Sequence, residues 1–372
     1  MRSLAAVARE PGKPFTLEYV NLPEPGDDEI LVEVAATGLC HTDVACRDGL
    51  LPVSRPIILG HEGAGVVVSV GSQVKKVQPG DHVVLIWYSC GTCRNCQEGN
   101  PSYCSGWFNY NFVVDPKGRQ TASDSNGNPV HIGFFGQSSL SQYSLVHERS
   151  VVKVRKDVPL RLLGPLACGV LTGAGSVIHG VRAHVGSTIA IFGAGSVGLS
   201  CVLGAAVAGC TEIIVVSRTE ARLETAKTFG ATHVINPKKC EDVRQAVREI
   251  VPRGVDYAID TSAAEGVIRQ AASVLRPRGT LGLIGARDPL SDLQINYEQI
   301  MGQGLVVRGL VEGDCVPEYF IPEMIDLYLQ GRFPFDKMLS FYPFESINEA
   351  IADQLSGKVI KPVLELRGEE HK

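Results

Sequence analysis

The sequence predicts an α/β protein in two parts, a β-rich, partly open barrel and a doubly wound parallel sheet. Three observations carry that prediction. Short β-branched runs broken by Gly, Pro and Asp fill the first 150 residues. From about residue 165 to 310 strands alternate with helices. The first of those strands ends in a glycine turn, "IFGAGSVG". With 372 residues the chain is long enough for two domains of ordinary size. The pattern change places residues 1–165 and 312–372 in the β-rich domain and 166–311 in the sheet domain.

In order, "EILVEVAATGLC", "GAGVVVSVGSQV" and "DHVVLIWYSC" read as strands, and "VQPGDHVV" sets a Pro-Gly-Asp turn before the last of them. Residues 105–137 contain "DPKGRQTASDSNGNP", polar and turn-rich, which predicts a surface excursion with a hairpin. "TIAIFGAG" then reads as a strand, "SVGLSCVLGAAVAG" as a helix, "TEIIVVS" as a strand and "RTEARLETAKTFG" as a helix. "HVIN", "VDYAID" and "TLGLIG" are further strands, separated by helices "CEDVRQAVREIV" and "GVIRQAASVLRPRG". A helix "YFIPEMIDLYLQG" and a strand "KPVLEL" close the chain.

Composition limits the function. Hydrophobic residues make up 44% and charged residues 20%, as in a soluble protein with a sizeable core. A net charge of -5 with no basic block argues against nucleic acid or a membrane surface as the main partner. The apolar run Leu4 to Ala8 is too short for a signal peptide and is followed by Arg9 and Glu10. Thr188 to Cys210 is uncharged over a membrane-spanning length, but its opening reads as a buried strand entering a glycine turn and the rest as a buried helix. A soluble, cytoplasmic protein is expected. In that compartment eleven cysteines, an odd number, suggest metal binding rather than disulfides.

The glycine turn has G-x-G-x-x-G spacing at Gly193, Gly195 and Gly198, after a strand and at the start of a helix. Gly193 permits the tight turn, Gly195 lets backbone approach a pyrophosphate, and Gly198 lets helix and strand pack closely. The helix N-terminus at Ser196 and Val197 offers free N–H groups to the phosphates. A bare strand–helix turn is the alternative, but the complete β-α-β setting favours a dinucleotide. About twenty residues on, a carboxylate would bind the adenosine ribose; here Ser217 and Arg218 stand, with Arg222 beyond. A guanidinium suits a 2′-phosphate, so NADP(H) is favoured over NAD(H). If Arg218 stacks on adenine or faces solvent, either cofactor fits.

Cys90, Cys93, Cys96 and Cys104, spaced C-x2-C-x2-C-x7-C, suit one tetrahedral Zn²⁺ with no open position, a structural site in a lobe over residues 88–106. An iron–sulfur cluster is the lesser alternative. Arg94 is the only basic residue between Cys90 and Cys104, unlike a nucleic-acid zinc module. Three further candidate ligands are Cys40 in "GLCHTD", His61 in "GHEGAG" and Cys168 in "GPLACG". Their long gaps make no motif, but each sits beside glycine, with Asp43 and Glu62 near enough to orient ligands. Two Cys and one His leave a fourth position open on a catalytic zinc.

In "GLCHTD", "GHEGAGVVVSVG", "PGDHVV", the cysteine lobe, "GPLACGVLTGAG" and "IFGAGSVG", taken in order over nearly the whole length, the chain resembles the zinc-dependent medium-chain alcohol dehydrogenases. "FFGQSSLSQYSLV" and "SRTEARLETAKTFGATHVIN" look most like the aryl (benzyl) alcohol dehydrogenase group. The resemblance implies a GroES-like catalytic domain, a Rossmann domain, two zinc ions per chain, and hydride transfer between NAD(P)(H) and a small-molecule alcohol or aldehyde. It implies that Cys40, His61 and Cys168 bind the catalytic zinc, with Glu62 as alternate ligand. Asp43 would hold the His61 ring and Thr42 would relay the proton. His41 and Lys361 would lie near the cofactor pyrophosphate, and the chains would form a homodimer or homotetramer through edge strands. Asp43 as a turn cap and Lys361 as a solvated base are the plainer readings. One departure stands out: the position of the family's relay histidine is Ala45, so the last proton step falls to water, His41 or another base. Ile86, Trp87 and Tyr88 suit an aromatic or apolar primary alcohol if they line the pocket, and are core residues of the lobe if they do not. A polyol dehydrogenase of the same family and an inactive dinucleotide-binding protein are the competing readings.

Overall fold

The computed structural model describes residues 1–113, 121–264, 266–285 and 292–366. Strands β1 (Arg2–Ala8), β2 (Thr16–Asn21) and β3 (Glu29–Gly38) lead into helix α1 (His41–Asp48), then β4 (Ile57–Ile58), β5 (Gly63–Val70) and β6 (His82–Leu85). The cysteine segment holds short helices α2 (Arg94–Gln97) and α3 (Trp107–Asn111). β7 (Ala122–Ser123), β8 (Pro129–Val130), β9 (Tyr143–His147), β10 (Val151–Val154) and α4 (Leu160–Leu163) follow. Next come α5 (Gly169–Gly175), β11 (Thr188–Phe192), α6 (Ser196–Ala208), β12 (Glu212–Val216), α7 (Glu220–Thr228), β13 (His233–Ile235) and α8 (Val243–Ile250). β14 (Val255–Asp260), α9 (Val267–Ser273), β15 (Leu275–Leu283), α10 (Tyr297–Gln303) and β16 (Val306–Gly309) continue the alternation. α11 (Pro317–Leu329), β17 (Leu339–Pro343), α12 (Ile347–Ser356) and β18 (Lys361–Glu365) end it.

Two compact units result. The first comprises 1–168, 316–323 and 336–372, and the second 169–315 and 324–335. Residues 324–335, grouped by the sequence with the β-rich domain, thus pack with the second unit, because α11 spans both.

The first unit holds a sheet of order β4-β1-β2-β7-β8 and a barrel-like GroES-type sheet of order β10-β6-β5-β3-β18-β17, with β9 also on β3. β3 is its centre: Ile30, Val32 and Val34, two residues apart, face one side and meet Val67, Val83, Leu85, Val146 and Val151. The second unit holds the Rossmann sheet, β13-β12-β11-β14-β15-β16, with every pair parallel. Ala190, Phe192, Ile214, Val216, Ala258 and Leu281 bury one face against Val243 and Val247 of α8 and Ile268 and Ala271 of α9. Ile189, Ile191, Ile213 and Val215 of the other face are buried too, which is why these strands read as continuous apolar runs.

Three local differences emerge. The stretch "LRPRG" belongs to β15, not to the end of a helix; Pro277 cannot continue the helical hydrogen bonds, and α9 stops at Ser273. The 105–137 excursion does contain a short strand pair, β7 with β8, but it is not wholly a surface feature: Asn111, Val130, Phe134 and Phe135 are buried, while 114–120 lie outside the described residues. Thr188 to Cys210 divides into β11 and the thirteen-residue α6, and among the described residues no single helix is long and apolar enough to cross a membrane.

Candidate active site and metal centres

In the first unit, β3 ends at Gly38 and the chain turns through Cys40 into α1, while His61 and Glu62 precede β5 and Cys168 ends a 3₁₀ turn. Those turns bring one ligand atom each from Cys40, His61, Glu62 and Cys168 within 4.8 Å of one another. His61 Nδ1 meets Asp43 Oδ1 at 2.9 Å, and His61 Nε2 is buried with no hydrogen-bond partner among the described residues. An orphaned imidazole nitrogen beside two thiols is what a metal site needs, so the residues fit a zinc ion. The hydrogen bond from Cys168 and the nearby His61, against burial, hold Cys40 well below the ordinary thiol range. Burial opposes the His61 charge, but Asp43 and Cys40 outweigh it and raise the imidazole well above its usual range.

Asp43 is fully buried and accepts three bonds: from Cys40 N at 3.0 Å, from Gly60 N at 3.0 Å, and at the His61 ring. Thr42 is half-buried, its hydroxyl 3.7 Å from the Cys40 sulfur, and His41 is exposed at the start of α1. Lys361, expected beside the cofactor, pairs with Glu62 of the candidate metal set. Its buried Nζ lies 2.5 Å from Glu62 Oε2 and donates to Leu39 O at 3.0 Å. A carboxylate that deep requires a countercharge. Burial still pushes the Glu62 carboxyl up, although Lys361 pulls it down.

A wall of rings covers His61. Phe135 stacks on the imidazole at 4.6 Å and Phe134 meets it edge-on at 5.7 Å. Phe112 and Trp107 meet Phe135 at 5.0 and 6.0 Å, and Trp87 meets Trp107 at 5.8 Å. Of these only Trp87 stood out in the sequence; the pair of aromatics in "FFGQ" was the available signal for Phe134 and Phe135. Cys90, Cys93, Cys96 and Cys104 form a second set, with ligand atoms also within 4.8 Å of one another. Its thiols diverge: hydrogen bonding, first from the Ser105 backbone, draws half-buried Cys93 down to about 5, while burial pushes Cys96 up to about 12. A metal that takes all four as thiolates removes that conflict.

In the second unit the glycine turn joins β11 to α6. Gly193 has φ of 107°, and a Cβ at Gly198 would lie 2.0 Å from the Gly193 oxygen, so both positions demand glycine. A Cβ at Gly195 would meet nothing within 4 Å, which leaves space above the N–H groups of Ser196 and Val197 for a phosphate. The cradle fits a dinucleotide. At the end of β12, Ser217 is half-buried, Arg218 is exposed, and Arg222 has a buried Nε with no hydrogen-bond partner among the described residues. The sequence reading missed Asp260 and Ser262 at the end of β14, where the buried Asp260 carboxylate accepts from Ser262 N and Oγ.

Residues 26–156 match the alcohol dehydrogenase GroES-like domain, and residues 196–330 match the zinc-binding dehydrogenase domain. The geraniol dehydrogenase of Castellaniella defragrans is 41% identical over 97% of this chain and 96% of its own length. The solved benzyl alcohol dehydrogenase of Acinetobacter calcoaceticus is 41% identical, with a TM-score of 0.93 over 99% of this chain and 100% of that one. An alcohol dehydrogenase zinc-binding domain protein from Burkholderia ambifaria is 47% identical, with a TM-score of 0.97 over 99% and 100% of the two chains. The chain belongs to the zinc-dependent medium-chain alcohol dehydrogenases. It is an oxidoreductase that uses zinc and a nicotinamide cofactor on small-molecule alcohols.

Proposed function

We propose that the protein interconverts an aromatic or otherwise apolar primary alcohol and its aldehyde, with NADP(H) as the preferred cofactor. The observation that carries the substrate class is the ring wall of Phe134, Phe135, Phe112, Trp107 and Trp87 against the ligand His61. Such a wall favours a flat or apolar substrate and disfavours a polyol, whose hydroxyls would go unpaired there. Similarity to a benzyl alcohol and a geraniol dehydrogenase supports the same class. Arg218 and Arg222 beyond β12, with Ser217 in the place of a carboxylate, support the 2′-phosphate.

The roles divide as follows. Cys40, His61 and Cys168 hold one zinc, with Glu62 as alternate ligand, and the four cysteines of 90–104 hold another. When bound, the first metal supplies Lewis acidity toward an alcohol or carbonyl oxygen, and the nicotinamide takes or returns the hydride. Asp43 fixes the imidazole so that Nε2 faces the metal position. The Thr42 hydroxyl takes the proton the alcohol loses. Ala45 offers no base, so the proton leaves Thr42 through water or His41. The wall of rings excludes water from the reacting side. The first unit thus serves as the catalytic domain and the second as the cofactor domain. Edge pairing through β16 makes the assembly a homodimer or homotetramer.

The test is zinc per chain in the wild type and in Cys168→Ser, with turnover of benzyl alcohol, geraniol and sorbitol using NADP⁺ and NAD⁺. Two zincs falling to one, turnover lost and the fold kept is the expected result. Unchanged turnover in the variant, or sorbitol preferred to benzyl alcohol, sinks the reading.

A further inference from the structure

The segment that carries Phe134 and Phe135 also holds the backbone of His61. Leu140 N donates to Leu59 O and Ser139 N donates to Gly60 O, both at 3.0 Å, so residues 139–140 run alongside 59–60. Gly60 has φ of 94°, and a Cβ there would lie 2.4 Å from Leu140 N, so this close approach demands glycine. The backbone pairing does not continue to residues 61–63. Phe135, Gly136 and Ser138 have φ of 50°, 68° and 54°, and left-handed residues interrupt an extended strand. The turn they make is tied down from within. Ser138 Oγ donates to Ile58 O at 2.6 Å and accepts from Gly133 N at 2.9 Å and Phe134 N at 3.0 Å. Ser144 Oγ donates to Gln137 O.

The Gln137 side chain takes over where the backbone leaves off. It is 1% exposed; its Nε2 donates to His61 O at 3.0 Å and its Oε1 accepts from Gly63 N at 3.2 Å. Those two groups flank Glu62, whose own carbonyl accepts from Gly38 N at 2.9 Å at the end of β3. Residues 61–63 are thus held by the end of a strand and by one side-chain amide. A primary amide suits both tasks, because it donates from nitrogen and accepts on oxygen. Asp43 fixes the His61 ring through Nδ1, and Gln137 fixes the peptide that bears the ring. The direction of Nε2 depends on both.

We propose that Gln137 is a positioning residue for the metal set: its amide clamps the chain on either side of Glu62 and so sets where His61 Nε2 stands. The inference rests on the reading of Cys40, His61 and Cys168 as a zinc site. The test uses the full-length, zinc-loaded protein and compares the wild type with two variants. Gln137→Met keeps the volume and loses both bonds; Gln137→Asn keeps an amide but is one methylene too short to make both. Zinc release to a competing chelator, thermal unfolding, and kcat and KM for benzyl alcohol at saturating zinc are measured. Each variant is expected to hold one of its two zincs about tenfold more weakly, the low end of what an outer partner of a ligand contributes, and to hold the four-cysteine zinc as the wild type does. At saturating zinc, kcat is expected to fall about tenfold with KM within about twofold, because the metal position is disturbed and the ring wall is not. Where Gln137→Met does not fold, Gln137→Asn decides. A lower unfolding midpoint with wild-type zinc release and kcat overturns the proposal and leaves a structural role. Equal weakening of both zincs also overturns it. If Cys168→Ser removes no zinc, the zinc reading itself falls.

Discussion

Asp43 shows how much one carboxylate can hold. It anchors the start of α1 through Cys40 N, the turn before His61 through Gly60 N, and the imidazole itself. Two residues of the candidate metal set therefore take their positions from a carboxylate outside that set. Asp43→Ala is expected to weaken zinc at the Cys40–His61–Cys168 site by about 10–100-fold, the usual cost of losing such a partner, as read by chelator competition. Glu62 and Lys361 make a second residue-scale case. Both are buried, so removing one partner strands the other's charge. Lys361→Met is expected to cost about 3–5 kcal/mol in denaturant unfolding. The double variant Lys361→Met with Glu62→Gln is expected to recover most of that loss. A single variant as stable as the wild type would mean that water already reaches the pair.

At the scale of elements, Asp256 of β14 ties three neighbouring strands. It accepts from Thr188 N at 2.8 Å and Thr188 Oγ1 at 2.9 Å on β11, and from Arg276 Nε at 2.5 Å on β15. Burial pushes this carboxyl up, but the Thr188 and Arg276 bonds outweigh it and the net direction is down. A depressed folded-state value means stability that is present above about pH 4, the ordinary aspartate range, and is lost as pH falls through the lower folded value. Asp256→Asn is therefore expected to destabilise the protein at pH 7 by about 1–3 kcal/mol and to flatten the acid side of its stability profile. Element-level reading of the sequence succeeded where period and punctuation agree, as in "TIAIFGAG" and the alternating Ile30, Val32 and Val34 of β3. It failed where distant contacts decide. The burial of Phe134 and Phe135 depends on His61 and Phe112, and nothing in "NGNPVHIGFFGQ" reveals those partners. Lys361 lies 299 residues from Glu62, so its pairing left no local trace.

Over the whole molecule, the two sets of candidate ligands lie in different surroundings, and those surroundings say how to separate them. Of the four cysteines from 90 to 104, three are half-buried and only Cys104 is buried, while His61 and Glu62 of the other set are buried in the barrel-bearing unit. The four-cysteine loop has little structure of its own beyond α2, so its shape depends on what the thiols hold. The loop also reaches the ring wall. Trp107 N donates to Cys104 O at 2.8 Å, the Trp107 ring meets Phe135, and Phe135 stacks on His61. Cys104→Ser is thus expected to lose one zinc per chain, lower the unfolding midpoint and raise KM for benzyl alcohol about tenfold, the effect of roughly 1.4 kcal/mol of lost contact. Cys168→Ser is expected to lose the other zinc and the turnover with the unfolding midpoint nearly kept. Metal content, thermal unfolding and steady-state kinetics on the two variants decide it. If Cys104→Ser leaves KM and the midpoint unchanged, the loop is independent of the wall, and the contact through Trp107 carries no energy.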